Sequence, residues 1–558
     1  MGVKRYVASK DTTITNAYKS NLSTRGTGSN MGAADVLELF SIYGQAQELN
    51  TYTTVSGTFN SQELSRILIE FPTTNIQTDR TNEDIPGSGS VDFYLRMFNA
   101  KHGSTTPKNA KVVIATVDSA WEEGFGLDMV EYKDDTRNEE GANWINSASN
   151  ASWDNVGGDY SKDRRRTYEF SDGTEDIEVD VTDVVEAWLA GTISNNGFGL
   201  FLTGTQEAYF SGSNGTDEGS LVNNLTGSRR SYYTKKFFAR SSEFTLRKPV
   251  IEARWDSSKK DNRGNLLYSS SLLPKADNLN TIYFYNYVRG QLKNIDNAVD
   301  GKRLYVQIFS GSRDSGGPTG SAISLVPAAG GVLAASDAVP TVETVITGGL
   351  VSTGIYSATF AITSSVTDAR HHPQVLHDMW FGASTPGVGD HKEVAKGALF
   401  TGSLVPEVPK SVNYNYSDSY VISMPDLKDI YDSNEKASFR VYTRNKNWSP
   451  SIYSKATAET PINIIEDLYY RLYRVADGFE VVAYGTGSVT PQLTGSEESY
   501  TRLSYDSSGS YFDFDMTMLV PDYAYAFKFL YYTNNSYKEY NRPFKFRVER
   551  LDDKDHHL

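Results

Sequence analysis

The sequence contains no cysteine, which excludes disulfides and cysteine-ligated metals and leaves each folded unit to be held by packing or by neighbouring subunits. Stability through assembly is therefore an expectation. No apolar run approaches the ~18 residues of a membrane-spanning helix, and the start, MGVKRYVASKDTTITNAY, has no apolar core of a secretion signal. Tyr6 stands where a myristoylation signal wants Ser or Thr. A chain made and kept soluble, with no membrane contact, is expected. Helical periodicity is scarce. Positive charge is also short: 54 Lys and Arg face 69 Asp and Glu, a net charge of -15 that argues against a general nucleic-acid binder. The small basic clusters Arg164, Arg165 and Arg166, Arg229 and Arg230, Lys235 and Lys236, and Lys259 and Lys260 read as solvated or subunit-facing charge.

What is present is length and β-forming sequence. At 558 residues the chain exceeds a single core, and size alone predicts roughly three or four domains. Tyr (36), Phe (26) and Gly (45) are abundant, so aromatic strands between turn-forming clusters are expected. The best-organised stretch is residues 177–202, which reads as strand, helix, turn, strand. Ile177, Val179 and Val181 alternate with Glu178 and Asp180. Thr182 is placed to cap a short helix, Asp183 suits its dipole, and Val184, Val185, Trp188 and Leu189 share one face before Gly191 ends it. Trp188 should be buried. In the strand that follows, Gly197 and Gly199 should let another backbone or a tryptophan come close.

A first unit is expected over residues 1–255, with strands at 11–15, 36–40, 65–71, 91–98 and 111–117, and 237–238, 244–246 and 250–255 as the last. Short alternating strands between Gly and Asn turns predict an antiparallel sandwich of jelly-roll type. The run from Gly26 to Gly32 reads as a flexible loop and not a phosphate loop, since no Lys-Ser or Lys-Thr follows. Several of these residues fall in a familiar order: Asn30-x-Gly32 before a strand, Arg66-x-Leu68-Ile69-x-Phe71, Trp121-x-Glu123, Trp144 and Trp153. Asp180-Val181-Thr182 leading to Trp188, and Asn196-Gly197-Phe198-Gly199-Leu200, complete it. Over roughly the first 210 residues this resembles the DNRLRE-domain family. The resemblance implies a β-sandwich module of bacterial surface and secreted proteins, related to carbohydrate-binding-like folds. A long polar insertion at 73–89, an acidic loop at 134–140 and the lack of a signal peptide depart from that family's pattern.

Residues 256–264 are charged and turn-forming, so a domain junction is expected there. A second small β-sandwich should span 265–405, with strands at 281–288 and 303–309 and loops at 311–321 and 328–338. A third, tyrosine-rich, should span 410–551 after a linker containing Pro406 and Pro409. Its residues 434–444 (NEKASFRVYTR), 484–488 (YGTGS) and 511–516 (YFDFDM) resemble the C-terminal domain of structural proteins in contractile-tailed cyanophage virions. The expected fold class is all-β: a jelly-roll-like N-terminal sandwich with one short helix, then two smaller antiparallel sandwiches.

Candidate chemistry reduces to three constellations. Arg313-Asp314-Ser315-Gly316-Gly317-Pro318 is close to the nucleophile segment of chymotrypsin-like proteases. A serine nucleophile needs a histidine base oriented by an aspartate. The single upstream histidine, His102, belongs to another expected domain, so the segment reads as a Gly-rich hairpin loop. His371, His372, His377 and His391 cluster beside Asp378 and Asp390, residue types that ligate divalent metals. Their spacing fits no closed zinc template, and a polar loop is expected. Trp121, Trp144, Trp153 and Trp188 could form a sugar-stacking platform, although core packing is the better reading.

No residue is assigned a catalytic, cofactor-binding or metal-binding role, and no cofactor is expected. The composition and the two resemblances imply a non-enzymatic virion structural protein of a tailed bacteriophage, at the neck, tail or capsid surface. It would be made in the host cytoplasm and partnered by copies of itself and other virion proteins. The alternative is a carbohydrate-binding adhesin for host-surface glycans.

Overall fold

A computed structural model describes residues 2–19, 24–43, 62–102, 109–127, 141–211, 221–269, 276–296, 298–311, 317–328, 343–362, 375–382, 395–406, 419–448, 462–485, 499–533 and 536–550. The protein is all-β, and nearly every strand pair is antiparallel. In the first sandwich a four-stranded sheet runs in the order Val3–Val7, Val250–Arg254, Asp92–Met97, Ile177–Asp180. Its first two strands come from opposite ends of the unit, so the sheet closes only when residue 254 arrives. The facing seven-stranded sheet runs Tyr232–Phe238, Val36–Tyr43, Gln62–Glu70, Phe198–Leu202, Ala110–Thr116, Arg166–Phe170, with Lys10–Thr15 also paired to Gln62–Glu70. Between the sheets lie Ile67, Phe93, Leu95, Ile114, Val184, Trp188 and Phe198, all buried.

The strand–helix–turn–strand stretch folds as read, with two differences. Helix Thr182–Leu189 buries Val184, Val185 and Trp188, and the Trp188 ring meets Phe198 at 4.8 Å. Thr182, however, does not cap it. The helix begins at Thr182 itself, whose hydroxyl accepts from Phe93 N at 2.8 Å across to the neighbouring strand. The Asp180 carboxylate takes the Thr182 amide instead, also at 2.8 Å. The second difference is the neighbour at Gly199: a Cβ there would stand 2.0 Å from the Tyr160 ring, so a tyrosine takes the place expected for a tryptophan. Gly197 does admit a backbone. Its φ is +76°, and a Cβ would meet Ile69 O at 2.0 Å.

The polar insertion contains a second helix, Thr73–Thr81, held by buried Ile76 and by the Arg80–Glu186 ion pair to the other helix. The run Gly26–Gly32 is packed, not flexible. Asn30 donates to the Glu123 and Ala142 carbonyls, both at 2.8 Å, and its Oδ1 accepts from Gly32 N and Gly126 N. All four hydrogen-bonding positions of the amide are thereby used. The expected strand at 244–246 is a 3-10 turn, Thr245–Arg247, whose Leu246 enters the core of the third sandwich. The acidic loop 134–140 lies outside the described residues.

In the middle unit eight strands join one sheet, with Asn280–Tyr285, Ile355–Ile362, Ile346–Ser352, Arg303–Gly311, Val375–Phe381 and Ala398–Leu404 in order along it. The expected strand 281–288 is broken after Tyr285. Arg289 and Gly290 take positive φ, +53° and +80°, turning Tyr287–Val288 back on Gln291–Leu292 as a hairpin. The third unit packs the sheet Tyr420–Ser423, Lys436–Asn445, Gly509–Asp515, Ser504–Asp506 against Ile430–Asp432, Ser536–Glu549, Ala524–Thr533, Leu468–Arg474, Glu480–Val482. Ile430–Asp432 runs parallel to Ser536–Glu549. The core is aromatic: Phe512 stacks on Tyr470 at 4.5 Å and on Phe439 at 5.1 Å.

Two substitutions test this packing. Trp188→Ala should lower the unfolding free energy by about 3–5 kcal/mol, as for buried large-to-small changes. Asn30→Ala should cost about 1–3 kcal/mol by leaving buried backbone groups unpaired. Urea titration followed by tryptophan fluorescence checks both, and an unchanged midpoint for either would contradict the assignment.

Candidate functional site

The sequence candidates separate once placed. Trp121, Trp144, Trp153 and Trp188 are all buried, so they form no sugar platform. Trp121, Trp144 and Trp153 share one cluster and are engaged internally: Trp121 Nε1 donates to Asn196 O and Trp153 Nε1 to Asn143 O. Beside that cluster lies Arg66, 5.3 Å from the Trp144 ring centre and 5.6 Å from Tyr160, with its guanidinium forked onto Glu207 at 3.1 and 3.0 Å. The Arg66 position quoted for the family likeness is thus a buried ion pair enclosed by aromatic rings.

Of the histidine cluster, His371, His372, His391 and Asp390 lie outside the described residues, as does Ser315. His377 and Asp378 are neighbours on strand Val375–Phe381 and so point to opposite faces of the sheet. His377 Nδ1 lies 3.2 Å from Gly402 O, whereas Asp378 is fully buried and receives Arg263 and Trp380 Nε1. These two cannot converge on one ion. Among the described residues no group of three or more His, Asp or Glu is placed to hold a metal, and no helix is long and apolar enough to cross a membrane.

What the structure does bring together is the segment 250–266, which touches all three sandwiches. On strand Val250–Arg254, Glu252 and Arg254 point away from the first core, and the third sandwich covers them. Arg5, directly opposite Glu252, donates to it at 2.6 Å; Arg96 donates at 3.0 Å and Arg254 at 2.8 Å. Arg254 also holds Glu178 at 2.8 Å and lies over the Tyr94 and Tyr500 rings, while Arg5 donates to Val481 O of the third sandwich. Burial would push the Glu252 carboxyl up, but Arg96, Arg5 and Arg254 together hold it well below the usual carboxylate range.

The expected junction at 256–264 is an ordered strut. Lys259 N donates to Ser504 Oγ, Tyr505 N to Lys259 O, and Asp261 N to Tyr505 O, adding a short parallel bridge to the edge of the third sandwich. Asn262 reaches both ways, donating to Tyr505 OH and accepting from Thr281 N of the middle unit. Arg263 then forks onto Asp378 at 2.6 and 2.8 Å and donates to Tyr283 O. Tyr285 OH and Tyr511 OH meet at 3.1 Å between the middle and third units. Burial raises Asp261 to about 6 against the opposing pull of Arg263.

A cleft of about 360 Å³ opens beside this hub, between Val3–Val7 and residues 513–518 of the third sandwich. The hub escaped sequence reasoning because charges alternating with Ile251 and Ala253 look like a solvent face. The one available signal was their mixed sign at alternate positions, Glu252 and Arg254.

A separate buried carboxyl, Asp11, accepts from Arg240 N at 2.6 Å next to the Arg240–Glu123 ion pair. Burial pushes it up to about 7 from 3.8, the Arg240 amide opposes, and Glu123 adds to the rise. A folded-state value above the unfolded one means its contribution to stability is full below about 4 and is lost as pH rises through about 7. Asp11→Asn should therefore show a smaller fall in urea midpoint between pH 5 and pH 8 than the parent chain. An equal or larger fall would contradict the assignment.

No family model matches the chain, and no curated protein matches it. Among solved structures it is similar to the FN1–FN3 domains of chicken CNTN1, at 10% identity and TM-score 0.12, covering 60% of this chain and 85% of that one. It is similar to trypsin-activated alpha-2-macroglobulin from Escherichia coli at 8% identity and TM-score 0.15, covering 89% of this chain and 23% of that one. A DUF4785 family protein from Legionella pneumophila aligns at 10% identity and TM-score 0.12, over 82% of this chain and 84% of that one. At these scores none of the three bears on function.

Proposed function

We propose that this chain is a non-enzymatic structural protein of a tailed bacteriophage particle, mounted at the neck, tail or capsid surface and working through subunit interfaces. The observation that supports it is the hub: one segment, 250–266, is hydrogen-bonded or ion-paired into three β-sandwiches. A bracket within an assembly needs its modules at fixed angles, and directional bonds to buried charge fix angles in a way that apolar contact alone does not. The likeness of residues 434–444 and 511–516 to cyanophage virion proteins points the same way. Burial of the four tryptophans removes one support of the adhesin alternative, the sugar-stacking platform.

The partners on this reading are further copies of the chain and neighbouring virion proteins, met through sheet edges and exposed apolar side chains. Strand Ala398–Leu404 ends its sheet and exposes Leu399 and Phe400. Quantitative mass spectrometry of gradient-purified particles of the encoding phage should find the chain at a fixed copy number per particle. Its presence in infected-cell lysate only as a monomer, with none in the particles, would sink the reading.

A further inference from the structure

Strand Val3–Val7 ends the four-stranded sheet. Its register with Val250–Arg254, together with the bonds Trp255 N to Gly2 O and Ala8 N to Pro249 O, fixes where each backbone group points. Antiparallel partners exchange bonds only at alternate positions. Gly2, Lys4, Tyr6 and Ala8 therefore bond inward, and the amides and carbonyls of Val3, Arg5 and Val7 point outward. Among the described residues nothing bonds to these outward groups. All three residues line the 360 Å³ cleft, whose walls include Leu246 and Trp255 on one side and Phe514 and Met518 on the other.

Natural sheet edges are usually guarded by charge. Here the charges are drawn into pairs: Lys4 with Asp79 at 2.8 Å, and Arg5 with Glu252. Across the cleft, Lys436 lies 3.9 Å from Asp515. The Asp513 side chain is exposed on the cleft wall, with Lys259 as the cation it acts on and no side-chain hydrogen bond among the described residues.

We propose that the cleft receives an extended segment of another protein as an added strand on the Arg5–Val7 end of this edge. Its alternate apolar side chains would lie against Leu246, Trp255 and Met518, and a basic side chain would stand opposite Asp513. Strand addition draws affinity from main-chain bonds and specificity from pockets for alternate side chains. Val3 is buried in the core of the third sandwich, so the edge open to the cleft is Arg5–Val7, whose outward residues Arg5 and Val7 offer two donors and two acceptors. The proposal goes beyond the particle reading and does not depend on it, since the edge and cleft are the same wherever the protein resides.

The test uses the full chain and a fluorescein-labelled peptide, TVTVKVTVT, followed by fluorescence anisotropy. Saturable binding is expected. Val7→Pro removes one outward amide at an edge position where proline is tolerated, so it should weaken binding at least tenfold with the melting temperature unchanged. Asp513→Lys should reverse the preference in favour of TVTVEVTVT. On the unmodified chain, the peptide should slow hydrogen exchange at the Arg5 and Val7 amides, which keeps the test decisive even if Val7→Pro fails to fold. No saturable binding, equal affinity for a folded Val7→Pro, or unaltered exchange at those amides would overturn the proposal. Self-association abolished by Val7→Pro would overturn the choice of partner in favour of a second copy of this chain.

Discussion

The carboxylate of Glu252 is 1% exposed and receives three arginines, two of them from other strands of its sheet. Taking such a charge out of water costs several kcal/mol per ion, and the cost is offset only when the partners stand in good geometry. This makes the interface between the first and third sandwiches intolerant of slippage. A displaced third sandwich would uncover Arg254, lose its contact with Tyr500 and break the bond from Arg5 to Val481 O. The network thus contributes a single docking geometry more than it contributes net stability.

The middle sandwich is fixed by the same logic at a second point. Asp378 is fully buried and accepts from both ends of the Arg263 fork and from Trp380 Nε1. Asn262 lies ten positions after Glu252 and Arg263 follows at once, so one short stretch of chain carries both anchors. Three units that each bury their own core are in this way held in one arrangement. That rigidity is a property an assembly component can use.

Much of the fold was legible because strands announce themselves by period. Ile177–Asp180 alternates apolar and polar residues and forms where expected, and the same alternation runs through Lys436–Asn445 and the end of Ser536–Glu549. The tryptophans were legible as core by their bulk, and Trp188 also by its place on a helical face. Helix Thr73–Thr81 was not, because TTNIQTDRT has a single buried residue, Ile76, and weak helix formers; tertiary contacts through Arg80 and Glu186 hold it. Thr182 was read as a cap because its residue type is right, but the adjacent strand offers Phe93 N closer at hand. The hub was hidden more deeply. Whether Glu252 and Arg254 face water or a third sandwich is decided by residues more than two hundred positions later, and Asp378, expected in a polar loop, lies instead on a strand where Arg263 reaches it.

Buried charge at Glu252 couples the first and third sandwiches, and differential scanning calorimetry of the full chain beside Glu252→Gln measures that coupling. The two sandwiches of the parent chain should melt in one shared transition, and the substitution should split it in two by leaving three arginines without their carboxylate, a loss of about 3–5 kcal/mol. Separate transitions already in the parent chain, or a substituted chain that melts as the parent does, would contradict it.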